Sequence, residues 1–180
     1  KPIFAEGELV SEKEMERISQ LKSANSVLAV VELPTRKLAD VLPNKNLVLA
    51  LDRVQNPGNL GTIIRLADWF GISDIVCSED TADCFNPKVV QATMGAILRV
   101  RVHYTNLPKW IAEQRDTKIY GTFLEGENIY NAQLDKCGVI VMGNEGQGIS
   151  DEVAKCVSHK LLIPPYPADR CGSESLNVAV

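Results

Sequence analysis

From Asn46 onward, short apolar runs alternate with segments whose apolar residues recur at helical spacing. The runs predict strands at Leu47–Leu51, Asp74–Cys77, Leu98–Val102, Lys118–Thr122, Val139–Met142 and Lys160–Ile163. Helices are predicted near Asn59–Phe70, Pro87–Met94 and Leu107–Gln114, and from Ser150. Strands alternating with helices predict an α/β fold with a mostly parallel sheet, covered by helices on both faces. In such sheets ligands bind beyond the carboxyl ends of the strands. That singles out the loops after Leu51, Thr122, Met142 and Ile163.

Residues 1–35 follow another pattern. Ser11 opens S-E-K-E, a capping box with Glu14 at the third helical position, and Met15, Ile18 and Leu21 continue a helical stripe. Ser26–Leu33 (SVLAVVEL) reads as a buried strand. One helix and one strand cannot close a core, so residues 1–35 are expected to be the end of a second, truncated domain. Residues 36–45 are expected to link it to the domain at 46–180. The chain starts at Lys1 and stops at Val180 inside an apolar run that should continue as a helix, so both ends are expected to be trimmed.

Composition narrows the classes. With 180 residues and 45% hydrophobic content the chain can build an ordinary core, and no run approaches the ~20 apolar residues of a membrane span. A net charge of −4 argues against a uniformly basic surface, but a local patch can still steer nucleic acid. Residues 41–110 carry 7 Lys/Arg against 6 Asp/Glu, and residues 111–180 carry 6 against 10, so a phosphate-binding face belongs in the middle of the chain. Five cysteines (Cys77, Cys84, Cys137, Cys156, Cys171) form no C-x-x-C pair and read as reduced thiols of a cytoplasmic protein. Two histidines without ligand spacing predict no metal.

Three loops carry the candidate chemistry. In D-R-V-Q-N-P-G-N-L-G-T-I-I-R (52–65), Asn56-Pro57-Gly58 predicts a tight turn and Asn59 a helix cap. Gly61 there permits a close backbone approach. Arg65 projects near the same loop, where it can fork onto a phosphate or sit beside a ribose; on a solvated face it would instead pair with Asp68 or Asp52. In M-G-N-E-G-Q-G-I-S (142–150), Gly143, Gly146 and Gly148 permit close approach around Glu145. The spacing G-x-x-G-x-G is not a dinucleotide fingerprint, and Ile149 stands where a phosphate loop needs lysine. A plain glycine turn is the simpler reading of this loop alone. In the tail (161–180), Pro164, Pro165 and Pro167 stiffen a loop that leads to Gly172-Ser173-Glu174-Ser175 and an apolar run. Serine there could merely cap a helix.

Taken together and in this order, N-P-G-N-L-G-T-I-I-R, M-G-N-E-G-Q-G-I-S and I-P…S-E-S-L-N-V-A-V resemble the three motifs of the SpoU (TrmH-type) branch of the SPOUT RNA methyltransferases. The likeness covers roughly Asn46–Val180, and Lys1–Leu33 resembles the end of the small RNA substrate-binding domain that often precedes it. The resemblance implies methyl transfer from S-adenosylmethionine to a ribose 2′-hydroxyl of rRNA or tRNA, without a metal, by a homodimer. It also implies a C-terminal trefoil knot, which the residue pattern alone would not reveal. Asn59, Arg65, Glu145, Ser175 and Asn177 fall on the family's catalytic or substrate-positioning residues. Gly143, Ile163 and Leu176 fall on positions whose backbone holds the cofactor's adenosine, and Thr122 and Leu124, after the preceding strand, fall where the family also touches the cofactor. The resemblance makes Arg65 the candidate base, but arginine holds its proton far above neutral pH, so Arg65 is read as activating the hydroxyl, with the proton's destination left open. Asn59 and Ser175 would position ribose and phosphate, while Glu145 and Asn177 would orient the motif loops. The loop Pro165–Gly172 is longer than in many members, and Arg170 there is expected to reach RNA. The alternatives are a non-catalytic RNA-binding module on the same fold, or an α/β enzyme for nicotinamide or ATP, which the glycine spacing disfavours.

Overall fold

The computed structural model describes residues 7–19, 23–167 and 176–179, and the chain divides into two compact units at Thr35/Arg36. In the first unit, α1 (Glu12–Ile18) starts on the expected capping box: Ser11 accepts from the Glu14 N–H, and the Glu14 carboxylate accepts from the Ser11 N–H at 2.8 Å. The strand expected over Ser26–Leu33 is not formed, and its apolar residues are open to solvent, Val30 at 91%. A strand needs a hydrogen-bonded neighbour, and no described residue of this unit supplies one.

The second unit is the alternating fold. Its strands are β1 (Leu47–Leu51), β2 (Asp74–Ser78), β3 (Arg101–Thr105), β4 (Ile119–Asn128), β5 (Gly138–Met142) and β6 (His159–Leu162). They form one sheet in the order β3-β2-β1-β5-β4-β6, every pairing parallel. Residue parity sorts its two faces. Leu49, Leu51, Ile75, Cys77 and Val102 pack under α2 (Pro57–Trp69), α3 (Pro87–Ala92) and the 3-10 turn Ala96–Leu98. Val48, Ala50, Val76, Val139 and Val141 pack under α4 (Leu107–Ala112) and α5 (Asp151–Ala154). Residues 36–45 lie on this unit: Arg36 donates to the carbonyls of Val100 (2.7 Å) and Ile97 (3.0 Å), and Val41 is buried in the α4/α5 face.

Two strands of this unit depart from the sequence reading by more than one residue. The third strand was expected at Leu98–Val102 but begins at Arg101. Ile97 and Val100 are apolar because they fill the core beneath α2, whereas the strand itself is a polar edge. Its Arg101 and His103 both reach the buried Asp74, at 2.6 and 3.2 Å. Burial pushes the Asp74 carboxyl up, but the hydrogen bonds from Arg101 and His103 outweigh it and hold the group below its ordinary value. The fourth strand was expected to stop at Thr122. It runs on to Asn128 through an irregularity in which Thr122 and Glu127 both register with Leu161.

Gly61 shows what its missing side chain is for. A Cβ there would lie 2.4 Å from the Ala92 Cβ and 2.8 Å from the Val89 carbonyl oxygen. The approach it permits is that of α3, which seats α2 against the sheet. Gly61→Val should therefore destabilise the unit by about 2 kcal/mol or more through overpacking, lowering the thermal midpoint by about 4–8 °C. An unchanged melting curve would show that α2 and α3 can separate without cost.

Candidate active site

Chain connectivity creates a crevice between β1 and β5. From β1 the chain leaves for α2 on one face, and from β5 it leaves for α5 on the other, so two neighbouring carboxyl ends diverge. This is a topological switch point, where open α/β sheets hold their ligands. The loops 52–56 and 143–150 meet across it.

The first loop starts with Asp52, which is 3% exposed. Its N–H donates to the Met142 carbonyl at 2.9 Å, and its Oδ2 accepts from the Ser150 N–H at 2.6 Å. Arg53 follows with φ 58, a left-handed conformation that a residue with a Cβ adopts only when held. Its N–H donates to Ser78 Oγ at 2.8 Å and its carbonyl accepts from Asn144 Nδ2 at 2.8 Å. The helix then begins two residues earlier than expected. Asn56, not Asn59, is its cap, accepting from the N–H groups of Gly58 and Asn59, with Pro57 at the first helical position. That leaves the Asn59 amide free to reach across the crevice, where Nδ2 donates to Glu145 Oε1.

The second loop is a closed turn. Asn144 and Gly148 exchange both backbone hydrogen bonds, at 3.0 and 2.8 Å, and Asn144 Oδ1 accepts from the N–H groups of Gly146 and Gln147. Gly143 makes that closure possible, because a Cβ there would lie 2.2 to 2.5 Å from the Gly148 and Ile149 backbone. The close approach expected at Gly143 is thus made by its own loop.

The predicted residues separate into groups. Asn59 and Glu145 are joined directly. Arg65 lies exposed on α2 and, among the described residues, has no ion-pair partner. The two acids that could have neutralised it are engaged elsewhere: Asp68 takes a two-pronged contact from Arg99, and Asp52 is beside Arg53. Gly143 and Ile163 lie just beyond the carboxyl ends of β5 and β6, whereas Thr122 lies inside the neighbouring β4, where its irregularity begins. Leu124 (68% exposed), Ile163 and Leu176 (61%) present apolar side chains to solvent. Asn177 accepts from the Ala179 N–H in a local turn, while Val178 and Ala179 pack on the α2 face of the core. Ser175 lies outside the described residues, as do Arg170 and Cys171.

The residues that sequence reading passed over are Arg53, Asn144 and Gln147, together with the anchoring role of Asp52. The signal for the last three is position within a motif loop, whereas nothing local marks Arg53 as left-handed. Cys77 and Cys84 are core residues: burial pushes both thiols up, away from the reactive thiolate. Among the described residues, no cluster of His, Cys, Asp and Glu could hold a metal, and no helix is long and apolar enough to cross a membrane.

Residues 46–180 match the SpoU rRNA Methylase family. The Bacillus subtilis 23S rRNA (guanosine(2553)-2′-O)-methyltransferase RlmP is 33% identical over 175 residues, covering 96% of this chain and 67% of that protein. The AdoMet-bound rRNA methyltransferase from Sinorhizobium meliloti has 35% identity and a TM-score of 0.72, with 82% of this chain and 57% of that one aligned. The SpoU methyltransferase AviRb from Streptomyces viridochromogenes, in complex with AdoMet, has 26% identity and a TM-score of 0.79, with 94% and 67% aligned. The chain thus spans between half and two thirds of the length of most relatives it matches. With the motif loops joined across the β1/β5 crevice and the family match running through all three motifs, the chain belongs to the SpoU rRNA methylase family.

Proposed function

We propose that this chain transfers a methyl group from S-adenosylmethionine to a ribose 2′-hydroxyl of structured RNA, rRNA or tRNA. The observation that carries the reading is the Asn59–Glu145 contact, which joins two motif loops, while Arg65 on the same helix as Asn59 is exposed and has no ion-pair partner among the described residues. The relatives named as rRNA 2′-O-methyltransferases support the same chemistry. Those names favour it over a non-catalytic RNA-binding module on the same fold.

The residues present fit the cofactor. Leu124, Ile163 and Leu176 supply apolar surface for a flat base, and the irregular middle of β4 with the chain just after β5 and β6 supplies backbone polar groups. When bound, S-adenosylmethionine supplies a methyl already activated by its sulfonium. The protein then has to orient the hydroxyl and help it lose its proton. Glu145 fixes the Asn59 amide, which leaves Asn59 one N–H and its carbonyl to position the ribose. Arg65 polarises the hydroxyl with its planar donor fork, with a substrate phosphate as a second partner. Ser175 and Asn177 complete the set from the tail.

The wider assembly is part of the same proposal. Residues 1–35 are the end of an RNA substrate-binding domain, residues 36–45 the link, and residues 46–180 the catalytic domain. The tail packing on the α2 face through Val178 and Ala179 supports a knotted course. Free cysteines and an RNA substrate support a cytoplasmic protein. A homodimer forms through the motif-one helix, supported by Trp69 at 83% exposure and by Met94 and Leu98 on the elements packed against α2.

Three outcomes test this reading. Gly143→Ala forces open the turn 144–148, so S-adenosylmethionine affinity by calorimetry and hydrogen-exchange protection of the loop should fall together, each by about tenfold or more. Full affinity despite an opened loop would put the cofactor elsewhere. Light scattering at micromolar concentration should give a dimer mass, and Trp69→Glu should shift it toward monomer; a monomeric native protein would sink the dimer. Arg65→Ala should cut single-turnover methyl transfer by about 10²–10³-fold at unchanged cofactor affinity, and Arg65→Lys should recover little. A surface arginine would give wild-type rates and a stability change under ~1 kcal/mol.

A further inference from the structure

Arg53 belongs to neither the proposed catalytic set nor the proposed cofactor set, yet it stands in one motif loop and bonds the other. Its φ of 58 would suit glycine or asparagine better than arginine. Such outliers persist only where the surroundings fix them, and they gather at functional sites. Here the fixing groups are Ser78 Oγ on its N–H and Asn144 Nδ2 on its carbonyl. The unfavourable backbone brings a guanidinium to the crevice. Its Nη1 donates to Gln147 Oε1 at 3.1 Å, and its Nε, buried without a hydrogen-bond partner, lies 3.7 Å from the Asp52 carboxylate.

The anchors of the glycine loop therefore come from two consecutive residues. Asp52 and Arg53 hold Asn144 at its start, Gln147 near its middle and Ser150 just past its end. Glu145 stands between the first two anchors, and its carboxylate meets the opposite loop through Asn59. The contacts at Asn144 and Gln147 thus bracket the residue whose carboxylate meets Asn59.

We propose that Arg53 is a positioning residue for methyl transfer, clasping Gln147 so that Glu145 stays on Asn59; this rests on the methyltransferase reading above. Arg53 does not touch the reacting atoms. It acts on geometry, where a displacement of about 1 Å can cost up to ~10²-fold in rate.

Arg53→Gly separates this role from a merely structural one, because it relaxes the backbone while removing the guanidinium. The thermal midpoint should hold or rise, and S-adenosylmethionine affinity should stay within about threefold, since the Asn144–Gly148 closure remains. Single-turnover transfer at saturating RNA should nevertheless fall by about tenfold or more. The side-chain amide resonance of Asn59 should move toward its position in Glu145→Ala. Gln147→Leu should reproduce both changes, the double variant should be no worse than either single one, and Gln147→Glu should retain wild-type behaviour. An unmoved Asn59 resonance in Arg53→Gly, or additive losses in the double variant, would overturn the proposal. If the wild-type protein transfers no methyl to rRNA or tRNA, the functional reading fails separately, and the Asn59 resonance still decides whether Arg53 holds Glu145 in place.

Discussion

Two parallel strands, side by side at the centre of the sheet, send their chains to opposite faces, and the crevice that opens between them has to be bridged. β1 and β5 pair along their whole length, Leu47 with Gly138 through Leu51 with Met142. Beyond that register the sheet offers no further backbone partners, and unpaired polar groups near a core cost about 1–3 kcal/mol each. The bridge is polar and short: Asp52 to Met142 and Ser150, Arg53 to Asn144 and Gln147, Asn59 to Glu145. The turn at Gly143 and the start of α5 inherit their positions from these contacts.

The same contacts set the electrostatics of the crevice. The two carboxylates of the motif loops that meet there are committed internally, Asp52 to a backbone N–H and an adjacent guanidinium, Glu145 to an amide. Asp68, on the same helix as Arg65, is held by Arg99. A net-acidic chain thus leaves Arg65 without an acid among the described residues, a local arrangement that the overall charge of −4 does not reveal. Hydrogen-bonding the carboxylates to fixed donors, rather than to Arg65, leaves that guanidinium able to meet a polyanion.

Much of this was legible in order along the chain. β1, β2 and β5 lie within one residue of their expected places because each is a mainly apolar run that is largely buried, and β6 does so on its apolar end Leu161–Leu162. Where the pattern misled, apolar character had another use. Ile97 and Val100 fill space below α2 just before the polar edge strand β3, and Val27, Val30 and Val31 have no described neighbour to pair with. Asn56 and Asn59 are both good caps in sequence, and Pro57 between them decides the matter by sitting best at the first helical position.

The sequence by itself determined the alternation of strands and helices, the three motif loops and the family they belong to, because each is a property of residues close together in the chain. Only the tertiary structure decided what packs against those loops. Gly61 and Gly143 read as openings for a ligand, yet the space they leave is filled by α3 and by Gly148–Ile149. Arg53 reads as an ordinary loop arginine, yet it is left-handed and spans to a residue 94 positions away. Side-chain periodicity encodes which face a residue turns toward the core. It carries no record of which distant atoms will arrive there, since that depends on strand order and on crossovers that no local pattern contains.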